Sequence, residues 1–170
     1  MIPKIVVKNI LYATDLSESA LYAFAHAISL ADTYGAKLTL LHVLSETPAL
    51  DSRIIGYVTR SQWEAIKERN LDEARQALIG KQKEHGAVRE VLNLFSENAK
   101  AESGVETDQV LVRRGHPVEE ILAQIKEGGH DLVVMGTRGQ GTLVDAMMGD
   151  TVRRVLRRSA VPVLTVRIPE

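Results

Sequence analysis

Three glycines at a fixed spacing form the part of the chain best suited to bind an anion. Gly136 and Gly139 are separated by two residues, and Gly149 follows after nine more. Glycine lets main-chain amides approach a ligand closely, and a loop of this kind that leads into a helix N-terminus is a natural phosphate site. The apolar run at residues 131–135 predicts a strand directly before it. The spacing therefore predicts an anion-binding loop between a strand and a helix.

Short apolar runs alternate with helical patterns along the chain. Strands are predicted at residues 10–14, 36–44, 109–112, 131–135 and 161–166. Helices are predicted from residue 15 to Gly35, from a capping box at 61–64 to Gly104 with a weak point at Gly80 or Gly86, from Pro117 to Gly128, and at 151–158. This alternation predicts an α/β fold with one doubly wound, five-stranded parallel sheet and helices on both faces.

The position of the glycine loop in this fold predicts a binding crevice. Ligands of such sheets bind outside the carboxyl ends of the strands, where the connections reverse direction. Thr14 and Asp15 end the first strand and Gly136 ends the fourth, so both strand ends can line one crevice. Asp15 also suits a cap for the first helix, and the two roles can coexist.

The composition is that of an ordinary globular domain, and it excludes all chemistry that needs cysteine. Of 170 residues, 45% are hydrophobic and 25% are charged, which predicts one domain over residues 1–170. Without cysteine there is no disulfide, thiolate zinc site or cysteine nucleophile. The net charge of -1 gives no electrostatic reason to expect nucleic acid or a membrane as a partner. With no signal-peptide pattern and no apolar run of about eighteen residues, we expect a cytoplasmic protein.

Neither a catalytic group nor a metal site is predicted from the motifs. The five histidines lack the i, i+4 pairing of helical metal ligands, and no Gly-x-Ser-x-Gly or Walker sequence is present. His42 is interpreted as a hydrogen-bonded residue at a strand end, and His116 as the N-cap of the helix that begins at Pro117.

Several segments resemble the universal stress protein family. The resemblance covers about residues 10–166 and is carried by residues 11–17, 41–43, 114–117, 136–139, 149–156 and 160–166. It implies a flavodoxin-like sheet in the order 3-2-1-4-5, homodimers and, in one branch of the family, ATP bound at the ends of the first and fourth strands. The expected function is that of a small dimer that binds ATP or another adenine nucleotide as a stress-response or regulatory module, with an unidentified regulatory protein as its partner.

The resemblance also implies roles for individual residues. Asp15 would face the ribose, the backbone of Val43 would meet adenine, and the glycine loop would hold the phosphates. The predicted nucleotide-binding residues are Ala13, Thr14, Asp15, Val43, Met135, Gly136, Arg138, Gly139, Gly149, Asp150 and Thr151.

Two residues depart from the pattern of the ATP-binding branch. Ala13 replaces a proline, which is a mild change, and Asp150 replaces a serine or threonine that meets phosphate. A carboxylate beside a phosphate is repelled, unless Arg138, the hydroxyl of Thr151 or a Mg²⁺ that Asp150 helps to hold compensates. A regulatory dimer with a vestigial site therefore stays open as an alternative. So does a weak ATP hydrolase, for which Asp150 is the acidic candidate.

The last predicted strand is the candidate dimer interface. Residues 161–166 are strongly β-forming and lie at the sheet edge by analogy with the family, and an exposed apolar edge is normally paired or protected. We expect two chains to pair antiparallel through Val161, Val163, Leu164 and Val166.

Overall fold

One parallel sheet organises the part of the chain that the structure describes. The computed structural model describes residues 1–44, 80–137 and 148–168, together with residues 61 and 65. Its five strands are β1 (Asn9–Thr14), β2 (Lys37–Leu44), β3 (Thr107–Arg114), β4 (Leu132–Gly136) and β5 (Val163–Val166). They lie in the order β3-β2-β1-β4-β5, and all neighbouring strands are parallel. The predicted sheet and its strand order are confirmed.

Helices cover both faces of this sheet. Within the described ranges they are α1 (Glu18–Tyr34), α2 (Gly80–Ser103), α3 (Pro117–Glu127) and α4 (Asp150–Arg158). Of the two alternatives for the predicted weak point, Gly86 is wrong, because α2 begins at Gly80, continues through Gly86 and ends before Gly104. The predicted capping box and most of the helical pattern that precedes residue 80 lie outside the described residues.

The two faces of the sheet have separate cores. On the face of α1 and α2, Tyr12 packs against Phe24 and Phe24 against Phe95, with ring centroids 5.1 and 5.2 Å apart. On the other face, side chains of α3 and α4 pack against Leu11 and Val133. Alternate residues of β1 and β4 enter opposite cores, which is why these strands are continuously apolar rather than alternating.

The strand boundaries differ from the prediction by more than one residue only in β3 and β5. β3 is two residues longer at each end than residues 109–112, because it pairs with β2 as far as Arg114. β5 begins at Val163 rather than at Val161, since the amide of Val161 donates to Ser159 Oγ at 3.2 Å instead of joining the sheet. Strand propensity does not predict such a local side-chain hydrogen bond, which competes with the backbone hydrogen bonds between strands.

Candidate functional site

The carboxyl ends of the three central strands bring most of the predicted site residues together. Ala13 of β1 pairs in register with Met135 of β4, and Thr14 pairs with His42 of β2. Val43 follows His42 at the same end of the sheet. Ala13, Thr14 and Met135 are buried, whereas Val43 is half-buried. The ends of β1, β2 and β4 therefore lie together at the edge of the sheet where the crevice is predicted.

A tight turn that contains Asp15 follows the end of β1. The amide of Leu16 donates to Thr14 Oγ1, and the amide of Ser17 donates to Asp15 Oδ1, both at 3.0 Å. Leu16 has a φ of 61° and its side chain is fully buried, so the turn is held in the left-handed region by packing. The N-cap of α1 is Ser17, so Asp15 is not itself the cap, and its carboxylate closes the turn before the helix by accepting the amide of the N-cap residue.

Two buried side chains hold β1 against its neighbours close to these strand ends. His42 Nδ1 lies 2.8 Å from the carbonyl oxygen of Thr14, so Nδ1 carries the proton and donates. Tyr12 donates its hydroxyl to the carbonyl of Ala20 at 2.6 Å, and burial raises the pKa of this hydroxyl. Both residues are part of the scaffold, and the interpretation of His42 as a hydrogen-bonded strand-end histidine is confirmed.

Gly136 makes a close contact that sequence reasoning missed. A Cβ atom built on Gly136 would lie 2.5 Å from Ser19 Oγ, 2.8 Å from the carbonyl carbon of Ser19 and 2.9 Å from the amide nitrogen of Ala20. The end of β4 therefore passes directly against the first turn of α1, and only glycine fits there. Glycine spacing alone could not separate this packing role from ligand binding.

Thr137 is bonded through its backbone to both the start of α4 and the end of β5. The amide of Gly149 donates to the carbonyl of Thr137 at 2.9 Å, and the amide of Thr137 donates to the carbonyl of Val166 at 2.8 Å. Thr137 is 5% exposed and was not among the predicted site residues. Nothing in the sequence around it indicates that both its amide and its carbonyl form backbone hydrogen bonds with distant residues. Arg138 and Gly139 lie outside the described residues.

The N-terminus of α4 lies beside the end of β4, since Gly149 is bonded to Thr137. Gly149 is the N-cap, Asp150 and Thr151 open the helix, and the first intrahelical bond runs from the amide of Arg153 to Gly149. The preceding amides of the first turn have no intrahelical acceptor, and the helix dipole adds positive potential there. This end of α4 is the part of the site suited to an anion.

The carboxylate of Asp150 is held by arginines of its own helix. Its Oδ1 lies 2.9 Å from Arg153 Nη2 and its Oδ2 lies 3.6 Å from Arg154 Nη1. These contacts, the Arg153 bond first, hold the pKa of Asp150 below its ordinary value. Sequence reasoning named Arg138, Thr151 or Mg²⁺ as compensation and missed this pair, although i, i+3 and i, i+4 spacing is a readable signal.

No group of three or more histidine or acidic residues suited to a metal ion occurs among residues 1–44, 80–137 and 148–168. Over the same residues, no helix is long and apolar enough to cross a membrane.

The fold is that of a doubly wound α/β domain, and its candidate site lies at the carboxyl ends of its strands. The model of the universal stress protein family matches residues 7–167. Over 159 residues the chain is 34% identical to universal stress protein YxiE of Bacillus subtilis, covering 94% of this chain and 98% of that relative. The chain belongs to the universal stress protein family.

Solved structures show the same fold. The universal stress protein UspA from Lactobacillus plantarum superposes with a TM-score of 0.70 at 22% identity, covering 96% of this chain and 100% of that one. A universal stress protein in complex with cAMP has a TM-score of 0.61 at 21% identity, covering 95% and 98%.

Proposed function

We propose that this protein binds an adenine nucleotide across the carboxyl ends of β1 and β4 and acts as a regulatory module. ATP is the nucleotide that the family resemblance implies. In this proposal Asp15 faces the ribose, the backbone of Val43 meets the base, and the first turn of α4 faces the phosphates. Occupancy of the site changes the surface that the protein offers to a partner protein.

One observation carries the proposal: the end of β1, the end of β4 and the N-terminus of α4 meet at one place. β1 and β4 are adjacent, and the bond between Gly149 and Thr137 attaches α4 to the end of β4. A crevice at strand ends beside the amides of a helix N-terminus suits a phosphorylated ligand. The related universal stress protein bound to cAMP supports an adenine nucleotide as its class.

The arrangement around Asp150 bears on ATP in particular. A lone carboxylate at this position would repel phosphate, but the group formed by Asp150, Arg153 and Arg154 has a net charge of +1. Long side chains on a helix lean towards its N-terminus, so both guanidinium groups lie near the amides that would meet phosphate. The carboxylate is thereby compensated, which favours a working site over a vestigial one.

Hydrolysis of ATP is not part of the proposal. Asp150 was the acidic candidate for a general base near the phosphates, and a carboxylate whose pKa is lowered by two arginines is a weak base.

Binding is tested directly by mass spectrometry of nucleotides released from protein purified without added ligand, followed by calorimetric titration with ATP, ADP and AMP. Asp15→Asn keeps an oxygen for the bond to Ser17 but removes the charge that would face the ribose, and it should weaken ATP binding about tenfold. Asp32→Asn, on the exposed surface of α1, is the matched control. Wild-type protein that carries and binds no adenine nucleotide would leave only the vestigial-site alternative.

A mutant cycle tests the compensation of Asp150. In wild-type background, Asp150→Asn should change ATP affinity by less than about threefold, because the carboxylate is already neutralised. In the Arg153→Gln/Arg154→Gln background, the same change should raise ATP affinity about tenfold, since an uncompensated charge is removed. Arg157→Gln, one turn further along α4, is the control for net charge. A tenfold gain from Asp150→Asn in wild-type background contradicts compensation while leaving the binding site intact.

We also propose that the protein is a dimer paired through β5. The opposite edge of the sheet is already covered, since His85 Nε2 lies 3.1 Å from the carbonyl of Val112 and Arg89 donates to the carbonyl of Val110 at 3.3 Å. These side chains of α2 occupy carbonyls that another strand would need. Pairing through β5 would use its backbone, because the side chain of Val166 is buried in the core.

The oligomeric state tests this pairing. Light scattering should find a dimer at micromolar concentration, and Val163→Pro should produce monomers because proline removes a backbone donor and disfavours strand geometry. Val110→Pro is the matched change in the covered edge strand and should leave any folded fraction dimeric. A wild-type monomer, or a Val163→Pro dimer, contradicts the proposed interface.

A further inference from the structure

The corner between α3 and β4, at the amino end of the sheet, contains two buried polar side chains whose hydrogen bonding is incomplete. His130 is 6% exposed and Gln124 is 3% exposed. Their Nε2 atoms lie 3.3 Å apart. Gln124 Oε1 and His130 Nδ1 have no hydrogen-bond partner among the described residues. Buried polar atoms without partners are uncommon in folded proteins, so this pair calls for a physical explanation.

The geometry favours a neutral imidazole at this corner. With the side-chain amide of Gln124 donating, Nε2 of His130 must accept. With the amide turned over, Nε2–H donates to Oε1. In either orientation Nδ1 has no partner, so a protonated ring would bury both a charge and an unsatisfied N–H.

Charged groups around the ring oppose this preference only in part. Burial is the main effect on His130 and lowers its pKa, while the carboxylates of Asp131 and Asp108 act in the opposite direction. Asp108 is itself engaged at 3.3 Å by Lys37. Gly128 lies in the turn after α3, and a Cβ atom there would collide with the imidazole ring of His130 and with the side-chain amide of Gln124. The turn therefore encloses the imidazole ring of His130 and leaves little room for water that could hydrate the protonated ring.

The same corner holds the amino end of β1. Asp131 Oδ2 accepts the amides of Lys8 at 2.7 Å and of Asn9 at 2.9 Å, and the amide of Asp131 donates to the carbonyl of Asn9 at 2.8 Å. The side chain of Asn9 donates to the carbonyl of Gly129 at 3.3 Å. Every one of these bonds depends on the position of the residues that flank His130.

We propose that this corner is an acid-sensitive latch, in which protonation of His130 opens the turn between α3 and β4 and releases the amino end of β1. The segment before Lys8 exposes large apolar side chains, namely Met1, Ile2, Ile5 and Val6. Opening the latch breaks the bonds from the amides of Lys8 and Asn9 to Asp131, through which this segment is anchored to the sheet. The latch lies at the opposite end of the sheet from the proposed nucleotide site, so a test of one proposal does not depend on the other.

The direction of the pH effect follows from the lowered pKa. Because the folded protein binds the proton less tightly than the unfolded chain, the latch is fully stable above the ordinary histidine pKa of about 6.5 and loses stability as the pH falls towards the folded-state value. Each unit of depression corresponds to a tenfold change in the opening equilibrium. A pH near 5.5 leaves carboxylates ionised, so the response there belongs to histidine.

Hydrogen exchange tests the latch site by site. Protection factors, corrected for the intrinsic pH dependence of exchange, are measured for the amides of Lys8, Asn9 and Asp131 at pH 7.5 and 5.5. They should fall at least about threefold at the lower pH in wild-type protein and stay constant in His130→Gln. His26→Gln and His116→Gln, at exposed positions, should behave like wild type.

A second measurement keeps the test valid if His130→Gln does not fold. NMR titration of the ring nitrogens should find the pKa of His130 below its ordinary value, with a depression that accounts for the loss of protection. Unchanged protection between the two pH values overturns the latch. So does an equal loss in His130→Gln, or a wild-type ring that titrates at or above the ordinary pKa.

Discussion

Replacing Gly136 by alanine adds one methyl group where β4 passes the first turn of α1. The new Cβ would lie 2.5 Å from Ser19 Oγ, 2.8 Å from the carbonyl carbon of Ser19 and 2.9 Å from the amide nitrogen of Ala20. Non-bonded heavy atoms need about 3.5 Å, so β4 and α1 must separate by several tenths of an ångström. Two of the three contacts are backbone atoms, which cannot move away by changing a side-chain rotamer.

The expected loss of stability is at the upper end of the range for overpacking. Inserting a methyl group into a packed interior destabilises by about 1–3 kcal/mol, and the rigid contacts point to about 3 kcal/mol here. For a chain of this size each kcal/mol lowers the melting temperature by about 2–4 °C, so we expect a fall of about 6–12 °C. Urea denaturation and thermal melts monitored by circular dichroism measure both quantities.

A control and a second substitution separate sterics from other effects. Gly104→Ala adds a methyl group with no atom within 4 Å but at a φ of +73°, so it should lose only about 1 kcal/mol through backbone strain. Adding Ser19→Ala to Gly136→Ala removes the Oγ contact and should recover less than half of the loss, because the backbone contacts remain. A Gly136→Ala protein within about 0.5 kcal/mol of wild type would refute the packing role.

Three further substitutions probe the scaffold, each measured as the free energy of unfolding in urea. His42→Phe removes the donor to the buried carbonyl of Thr14 and should cost about 1–3 kcal/mol, and an unchanged stability would mean that water satisfies that carbonyl. Asp131→Ala removes the acceptor of two backbone amides at the amino end of β1 and should cost about 1–2 kcal/mol, with faster hydrogen exchange confined to that end. Phe95→Ala removes the ring stacked on Phe24 and should cost about 3–5 kcal/mol, and a loss below 1 kcal/mol would mean that the core collapses into the cavity.

The amino-acid sequence by itself determined the order of elements and the parallel sheet, and it predicted where the candidate site lies. Strands covered on both faces must be apolar throughout, as residues 10–14 and 131–135 are, and helix ends carry local signals such as Gly35, Gly104 and Pro117. These signals depend on neighbours in the chain, so they can be read without coordinates. The resemblance to the universal stress protein family then supplied the strand order, which the structure confirms.

Tertiary structure decided what individual residues contact, in the candidate site and elsewhere. Gly136 has a packing role because Ser19, distant in sequence, lies against it. His130 is an unsatisfied buried histidine because α3 and β4 enclose it, and Thr137 joins α4 to β5 through two backbone bonds. Spacing and composition constrain which residues can share a face or a loop. Contacts between distant segments depend on how the packed layers fit together, and only the folded chain determines that.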